Sequence, residues 1–323
     1  MTSTAPAAQH PASPRLPERS LRSVVRGAAE VLGTSSGLTA FARSRARHHV
    51  AVLAWHNVVA PADAGRGDAS LHLPLPAFIA QIERLMRTHD IVDLDASSDA
   101  GTVRIRNAGR RPRAAITFDD AYRGAVTLAL PELIARGLPA TVFAAPAMLG
   151  ARGTWWDELA EAGLLTDAVR DAALRDHAGR GAEILRAVAR DAEPPSLPES
   201  YGIASAAELA RACGNAIRVG SHSWSHEYLP ALSDAELKDN LARTLEWVGR
   251  FDGRTSRCLA LPYGGGSPEL GRIALRAGHT TVLRIEGGLW KRNAALAWVP
   301  RINVPAGLTG RGLELRASGL FGR

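Results

Sequence analysis

A repeated alternation of short apolar runs with segments of helical periodicity constrains the fold of this 323-residue chain more than any other feature. Few hairpin signals separate the runs, so they are predicted to pair as parallel strands with helices packed outside. The chain length suits a sheet that closes into a barrel. The runs of strand length lie at residues 50–55, 91–94, 114–118, 139–144, 217–221, 258–261 and 281–285, with 301–304 as a further candidate.

Helices are predicted between these runs from periodicity and end signals. Apolar residues at 78–86 form a helical stripe that begins near Pro76, and proline is tolerated in a first helical turn. Ser233 and Glu236 have capping-box spacing and predict a helix that begins there. Residues 123–136 show the same helical pattern and are followed by a glycine.

Residues 150–215 break the alternation. The segment is rich in alanine, carries Trp155 and Trp156 near its start and has a proline-rich stretch at 194–198. It is predicted to be a helical insertion that covers or extends a cleft on the core fold. Its tryptophans suit either stacking on a sugar ring or packing in the core.

Polar motifs follow directly after four of the predicted strands. They begin at His56, Asp119, His222 and Pro262. The carboxyl ends of parallel barrel strands meet at one face, where the chemistry of such barrels is found. The four motifs are therefore expected to converge on one mouth, which is the main sequence evidence for an active site.

His222 and His226 lie four residues apart in a short, serine-rich segment. Alone, such a pair is more often a polar turn than a metal site. Two imidazoles with one carboxylate are, however, a recurring ligand set for a divalent cation with open positions. The adjacent carboxylates of Asp119 and Asp120 also need a compensating charge. Zn²⁺ is the default for a nitrogen-rich hydrolytic site, while Co²⁺, Fe²⁺ and Mn²⁺ stay open because ligand type alone does not choose among them.

The two adjacent aspartates are predicted to divide the chemistry. One binds the metal, and the other lies beside a metal-activated water and accepts its proton. An imidazole that titrates near neutrality then suits protonation of the leaving group. His56 is the candidate by position, and the alternative is that it is a core histidine at a strand end.

The motifs Thr117-Phe118-Asp119-Asp120, His222-Ser-Trp-Ser-His226 and Pro262-Tyr263-Gly264 together resemble the polysaccharide deacetylase family with a NodB homology domain, carbohydrate esterase family 4. The resemblance covers about residues 50–305. It implies a distorted (β/α)₇-type barrel and a metal-dependent hydrolase that removes acetyl groups from N-acetylated or O-acetylated sugars of a polysaccharide or glycan.

The same resemblance implies roles for individual residues. Asp119 would be the general base, and Asp120, His222 and His226 would hold the metal. The backbone around Tyr263 would help to stabilise the oxyanion, as preorganised N–H donors do.

Three positions depart from the family pattern. Ala121 stands where a glycine usually follows the aspartate pair, and Ala260 stands where many members have an arginine that orients the catalytic aspartate. No histidine follows His279, so the late Leu-x-His motif that normally supplies the acid is absent. Ala121 and Ala260 motivate an alternative function, a catalytically inactive carbohydrate-binding relative of the same fold.

Two other positions offer replacements for the missing histidine and the missing arginine. Residues 53–58 resemble the L-x-Y-H-x-V start of a subgroup with reordered motifs, in which the early histidine, here His56, takes the role of the acid. Arg301 is a candidate for the missing arginine, and an exposed or purely structural arginine is the alternative.

The net charge of +7 is concentrated at the chain ends: residues 1–47 carry +5, residues 301–323 carry +3 and the span between them carries −1. A centre so close to neutrality argues against nucleic acid as a partner. The basic ends indicate either solvated tails or peripheral contact with an anionic membrane. The apolar residues between Leu21 and Phe41 fit a cationic amphipathic helix or a helix packed on the outside of the domain.

The predicted organisation is a basic, partly disordered or amphipathic segment at 1–47, a barrel with its insertion at 48–305, and a tail at 306–323. No signal peptide or membrane-spanning run is recognisable, so a protein that is cytoplasmic or peripheral at the inner membrane face is expected. Cys213 and Cys258 are expected to be buried free thiols, with one disulfide as the alternative. The sequence indicates no oligomeric state.

Overall fold

The structure, a computed structural model, describes residues 38–95, 111–190, 192–214, 216–251, 253–291 and 298–320. Within these ranges no helix is long and apolar enough to cross a membrane. The predicted helix between residues 21 and 41 lies mostly outside the described residues.

The strands of the barrel lie close to the apolar runs of the sequence. The strands in chain order are β1 (His49–Trp55), β2 (Asn57–Val59), β3 (His72–Pro74), β4 (Asp90–Ile91), β5 (Arg113–Phe118), β6 (Ala140–Ala144), β7 (Ile217–Ser221), β8 (Thr255–Ala260), β9 (Thr281–Ile285), β10 (Trp290–Lys291) and β11 (Val299–Asn303).

Helices fill the connections between the strands. They are α1 (Leu38–Ala46), α2 (Leu75–Thr88), α3 (Leu130–Ala135), α4 (Trp155–Glu161), α5 (Asp167–Arg175), α6 (Gly181–Val188), α7 (Ala206–Ala212), α8 (Asp234–Val248), α9 (Pro268–Arg276) and α10 (Gly310–Ala317). A π-helical turn at Ala125–Ala129 leads into α3. The capping box of Ser233 and Glu236 is formed at the start of α8, as the spacing predicts.

Seven parallel strands close into a barrel. Strands β1, β5, β6, β7, β8, β9 and β11 are neighbours in that order, and β11 pairs back with β1. Strand β4 extends the sheet beside β5, β10 lies antiparallel to β1, and β2 with β3 forms a separate pair. The predicted (β/α)₇-type barrel is thus confirmed.

The barrel strands are apolar on both faces because one face fills the barrel and the other packs on helices. Val50, Val52 and Phe143 belong to an interior cluster. Leu53 belongs to a second cluster that includes Phe78 of α2. Both cysteines are buried free thiols, as predicted.

Helices α4 to α7 lie between β6 and β7 and form the predicted insertion. Helices α4, α5 and α7 each begin at a side-chain cap, from Thr154, Thr166 and Ser205 respectively. Because the chain leaves β6 at its carboxyl end, the insertion lies beside the end of the barrel where the polar motifs emerge.

The end of the chain differs from the predicted tail. Helix α10 packs against α2, and its Glu314 is buried. The Glu314 carboxylate forms ion pairs with Arg43 of α1 and Arg84 of α2. Part of the basic charge near the chain ends is therefore neutralised inside the folded unit.

Candidate active site and metal centre

The predicted polar motifs meet at the carboxyl end of the barrel, around a cavity of about 310 Å³. The insertion and the segment between β2 and β3 supply the other walls. The predicted site residues that line the cavity are His56, Asp119, Asp120, His222, His226 and Tyr263. Arg301 lies behind them, fully buried.

Asp120, His222 and His226 form a buried cluster with the geometry of a metal site. One ligand atom from each lies within 4.8 Å of the others. Asp120 Oδ1 is 3.4 Å from His222 Nε2 and 3.0 Å from His226 Nε2. Ligand atoms that each lie about 2.0–2.2 Å from one cation are separated by distances of this order.

The hydrogen bonds around the cluster leave its ligand atoms facing one another. His222 Nδ1 donates to the carbonyl oxygen of Ala260 at 2.8 Å, which leaves the Nε2 lone pair directed at Asp120. Asp120 Oδ1 is buried, and within the described part of the chain no donor forms a hydrogen bond of good geometry with it. An enclosed anionic oxygen between two imidazole nitrogens is the environment that a divalent cation requires, so these residues fit a metal.

Asp120 is ionised in this setting. Burial acts to raise the pKa of its carboxyl, but the neighbouring imidazoles of His226 and His222 outweigh burial and hold the pKa well below its usual range.

The loops that carry the site adopt unusual backbone conformations. Asp120, Ala121, Ser223, His226 and Tyr263 all have positive φ angles. The left-handed turn after β5 allows two successive aspartates to face the same cavity. Ala121, with φ of 56°, occupies the position where a glycine is usual, at a conformational cost of about 1–2 kcal/mol.

Asp119 is held by a bidentate ion pair. Arg301 donates from Nη1 to Oδ1 at 2.6 Å and from Nη2 to Oδ2 at 2.7 Å. Nη1 also lies 3.3 Å from Thr117 Oγ1. Burial acts to raise the pKa of Asp119, but the charge of Arg301, helped by His222, outweighs it and holds the pKa below the ordinary value. Asp119 is therefore an oriented, ionised carboxylate beside the metal cluster.

Tyr263 lies in a tight turn after β8, with φ of 57°. Its hydroxyl accepts a hydrogen bond from Trp155 Nε1 at 3.2 Å and donates to the Gly179 carbonyl at 3.3 Å. Both partners belong to the insertion, so the insertion fixes the tyrosine. The N–H groups of Gly264 and Gly265 donate back within the turn, which makes the Tyr263 N–H the candidate oxyanion donor.

Sequence reasoning missed a buried carboxylate at the centre of the insertion. Asp157 is fully buried, and its acidic side chain at the start of a capped helix resembles an ordinary first-turn residue. Its carboxylate accepts hydrogen bonds from four donors, namely Tyr122 Oη at 2.7 Å, Thr154 Oγ1 at 2.9 Å, His72 Nε2 at 2.8 Å and the Asp68 N–H at 2.9 Å.

The same network reaches the metal cluster. Trp156 donates from Nε1 to the Tyr122 hydroxyl at 2.7 Å. The ring of Trp156 lies 5.0 Å from the ring of His226, centre to centre. The insertion is thus tied to the walls of the site by buried hydrogen bonds.

Comparison with known proteins decides the family. A family model described as polysaccharide deacetylase matches residues 106–282, which is more than half of the chain. The chain belongs to the polysaccharide deacetylase family. The matched span contains the five predicted site residues from Asp119 to Tyr263, whereas His56 and Arg301 lie outside it. No curated protein matches the chain significantly in sequence.

Solved structures of other proteins share the fold of this family member. IcaB from Ammonifex degensii is 17% identical, with a TM-score of 0.58 over 84% of this chain and 97% of that chain. The deacetylase PplD from Streptococcus pyogenes, solved in complex with acetate, is 14% identical, with a TM-score of 0.55 over 83% and 98%. A polysaccharide deacetylase from Bacillus cereus is 15% identical, with a TM-score of 0.57 over 82% and 67%.

Proposed function

We propose that this member of the polysaccharide deacetylase family is a metal-dependent hydrolase that removes acetyl groups from N-acetylated or O-acetylated sugars of a polysaccharide or glycan. The observation that carries the proposal is the convergence of the Asp120, His222 and His226 cluster with a second carboxylate, Asp119, in one cavity. Such a cavity suits hydrolysis of an acyl group, because water must be activated next to a centre of positive charge.

In the proposed reaction the residues of the chain have separate tasks. Asp119, oriented by Arg301, accepts the proton of the attacking water. The bond between the acetyl carbon and the sugar nitrogen or oxygen breaks, and His56 protonates the departing amine or hydroxyl group. The N–H of Tyr263 donates to the oxyanion that forms at the carbonyl.

Asp120, His222 and His226 are the proposed ligands of a divalent cation. When bound, this cation supplies Lewis acidity to a water and to the acetyl carbonyl. We propose Zn²⁺ on the basis of the two imidazole ligands, with Co²⁺, Fe²⁺ and Mn²⁺ as the alternatives that metal analysis would distinguish.

The alternative, an inactive carbohydrate-binding relative, is motivated by Ala121 and by the absence of an arginine at Ala260. The bidentate contact of Arg301 with Asp119 favours the enzyme, because a buried guanidinium already orients this carboxylate.

An acetate-release screen tests the proposal. The metal-loaded protein is incubated with N-acetylated and O-acetylated oligosaccharides and with a small acetyl ester, and Asp119→Asn serves as the blank. Acetate release by the wild type that is lost in Asp119→Asn is expected. Binding of metal and sugar with equal rates in both proteins would favour the inactive relative.

Localisation at the cytoplasmic side, with peripheral contact to an anionic membrane, is also a proposal. The cationic composition of residues 1–47 supports it. Co-sedimentation with anionic vesicles, compared between the full chain and a chain that lacks residues 1–37, would test it, and equal binding by the two would contradict it.

A further inference from the structure

The mouth of the active-site cavity carries an ion pair that the proposed chemistry does not use. Asp68, Ser70 and Arg170 line the same cavity as Asp119 and Asp120. Asp68 and Ser70 lie between β2 and β3, and Arg170 lies on α5 of the insertion. The group is therefore built from two segments that are remote in sequence and that meet beside the metal cluster.

The three side chains bind one another directly. Arg170 Nη2 donates to Asp68 Oδ2 at 2.8 Å, and Ser70 Oγ donates to Asp68 Oδ1 at 2.8 Å. The side chain of Asp68 is 11% exposed, whereas that of Arg170 is 42% exposed. Burial acts to raise the pKa of Asp68, but the hydrogen bonds from Arg170 and Ser70 outweigh it and hold the pKa below the ordinary value. The Asp68 carboxylate is therefore ionised where it faces the Arg170 guanidinium.

The segment that carries Asp68 is held rigidly by two carboxylates of α4. Asp157 Oδ1 accepts from the Asp68 N–H at 2.9 Å, and Glu161 Oε2 accepts from the Gly67 N–H at 2.9 Å. Gly67 has φ of +54°, and a Cβ atom there would lie 2.8 Å from Asp157 Oδ1. Since the backbone is fixed before any ligand arrives, little conformational entropy is lost on binding.

The chemistry of this mouth suits a sugar. A guanidinium next to a carboxylate offers both donors and acceptors to neighbouring hydroxyl groups. Trp155 and Tyr263 add aromatic surface to the same cavity. Because the two charges are already paired, an ionised substituent would compete for one partner and leave the other uncompensated, whereas hydroxyl groups bind without breaking the pair.

We propose that Asp68, Ser70 and Arg170 form a binding subsite for an uncharged sugar unit next to the acetylated one. The substrate class is then an uncharged acetylated glycan of at least two units. This inference rests on the proposed deacetylase function and adds to it the part of the substrate beyond the acetyl group.

The test compares two substrates in matched variants. Triacetylchitotriose has sugar units next to the one that loses its acetyl group, and these can reach the proposed subsite. 4-Nitrophenyl acetate is too short to reach it. In Arg170→Gln the ratio of kcat/KM for the trisaccharide to kcat/KM for the ester is expected to fall by about tenfold or more, mainly through KM, as loss of a charged hydrogen bond predicts. The control Arg175→Gln removes an exposed arginine of the same helix that pairs with Asp176, and its ratio is expected to stay at the wild-type value.

Each other outcome has a defined meaning. An unchanged ratio in Arg170→Gln, or an equal fall in Arg175→Gln, would overturn the subsite. Ester hydrolysis without trisaccharide hydrolysis, or a preference for an acetylated uronic-acid oligosaccharide, would overturn the substrate class. Failure of the wild type to hydrolyse either substrate would contradict the deacetylase function itself. If Arg170→Gln does not fold, Arg170→Lys keeps the charge without the planar fork and is expected to show a smaller fall in the same ratio.

Discussion

Arg301 on β11 holds both carboxylate oxygens of Asp119, which follows β5, although the two residues are 182 positions apart. Strand β1 lies between their strands, so the ion pair spans the seam at which the barrel closes. The arginine therefore approaches Asp119 from β11. The corresponding position on β8 is occupied by Ala260, whose carbonyl oxygen accepts a hydrogen bond from His222 and orients it.

Replacement of Arg301 by lysine is expected to lower kcat by roughly 10- to 100-fold, because lysine keeps the charge but cannot hold both oxygens of Asp119. KM and bound metal are expected to change little. Steady-state acetate release and metal analysis measure the two effects. The exposed Arg250, which pairs with Glu246, supplies the control Arg250→Lys. A wild-type kcat in Arg301→Lys would show that Asp119 does not depend on this contact.

Removal of any one proposed metal ligand is expected to abolish stoichiometric metal binding. Asp120→Ala, His222→Ala and His226→Ala each delete one of the three donors, and three protein ligands are the minimum of an open catalytic site. Metal content after gel filtration is the measurement. The control is His279→Gln, because His279 is a buried histidine outside the cluster. A chelator is expected to remove acetate release from the wild type. Full metal retention in all three variants would exclude this cluster as the site.

Ala121→Gly is expected to leave stability nearly unchanged, although it deletes a buried methyl group. The loss of burial and the added chain entropy cost about 1–2 kcal/mol, and release from the left-handed conformation returns about the same amount. Ala144→Gly in β6 is the control, because this alanine is equally buried and lies in an extended strand. The free energy of unfolding of Ala144→Gly, measured by denaturant unfolding, is expected to fall by about 1–2 kcal/mol. Equal losses in the two variants would show that Ala121 carries no strain.

The stability of the protein is expected to fall between pH 6.5 and pH 4 because of two buried histidines. Burial lowers the pKa of His89 and of His279 to about 4. In the unfolded chain the two histidines have an ordinary pKa near 6.5 and bind more protons in this window than in the folded chain. Their contribution to stability is therefore fully present above pH 6.5 and is lost as the pH falls towards 4. In His89→Gln the difference in unfolding free energy between pH 7 and pH 5 is expected to shrink by about 2 kcal/mol. The exposed His48 supplies the control His48→Gln, and an unchanged difference in His89→Gln would contradict the prediction.

The barrel was predictable because its strands repeat a local pattern. Each strand is a short apolar run, and a polar motif follows where the run ends, so the position of Asp119 at the carboxyl end of β5 is readable from the sequence. The metal cluster was predictable for the same reason, since His222 comes directly after β7 and the pair of Asp119 and Asp120 comes directly after β5.

Contacts between distant segments were not predictable from such patterns. Arg301 was only a candidate partner of Asp119, because its reach depends on how the barrel closes. Asp157 has the appearance of a helix-start residue, and nothing local indicates that His72 and Tyr122 converge on it. The packing of α10 depends in the same way on the buried Glu314, whose partners lie on α1 and α2.

Asp157 and Glu161 of α4 accept hydrogen bonds from the backbone N–H groups that precede β3, and this has a consequence for engineering. Transplanting residues 150–215 alone into another barrel of this kind would leave Asp157 without its hydrogen bonds from His72 and the Asp68 N–H, and a buried polar group that loses its donors is costly. The insertion and the segment at 57–74 therefore have to be transferred together, into a host that carries a tyrosine at the position of Tyr122. Chimaeras that exchange both pieces together should keep their fold and acquire the donor's glycan preference, while the metal ligands stay with the host.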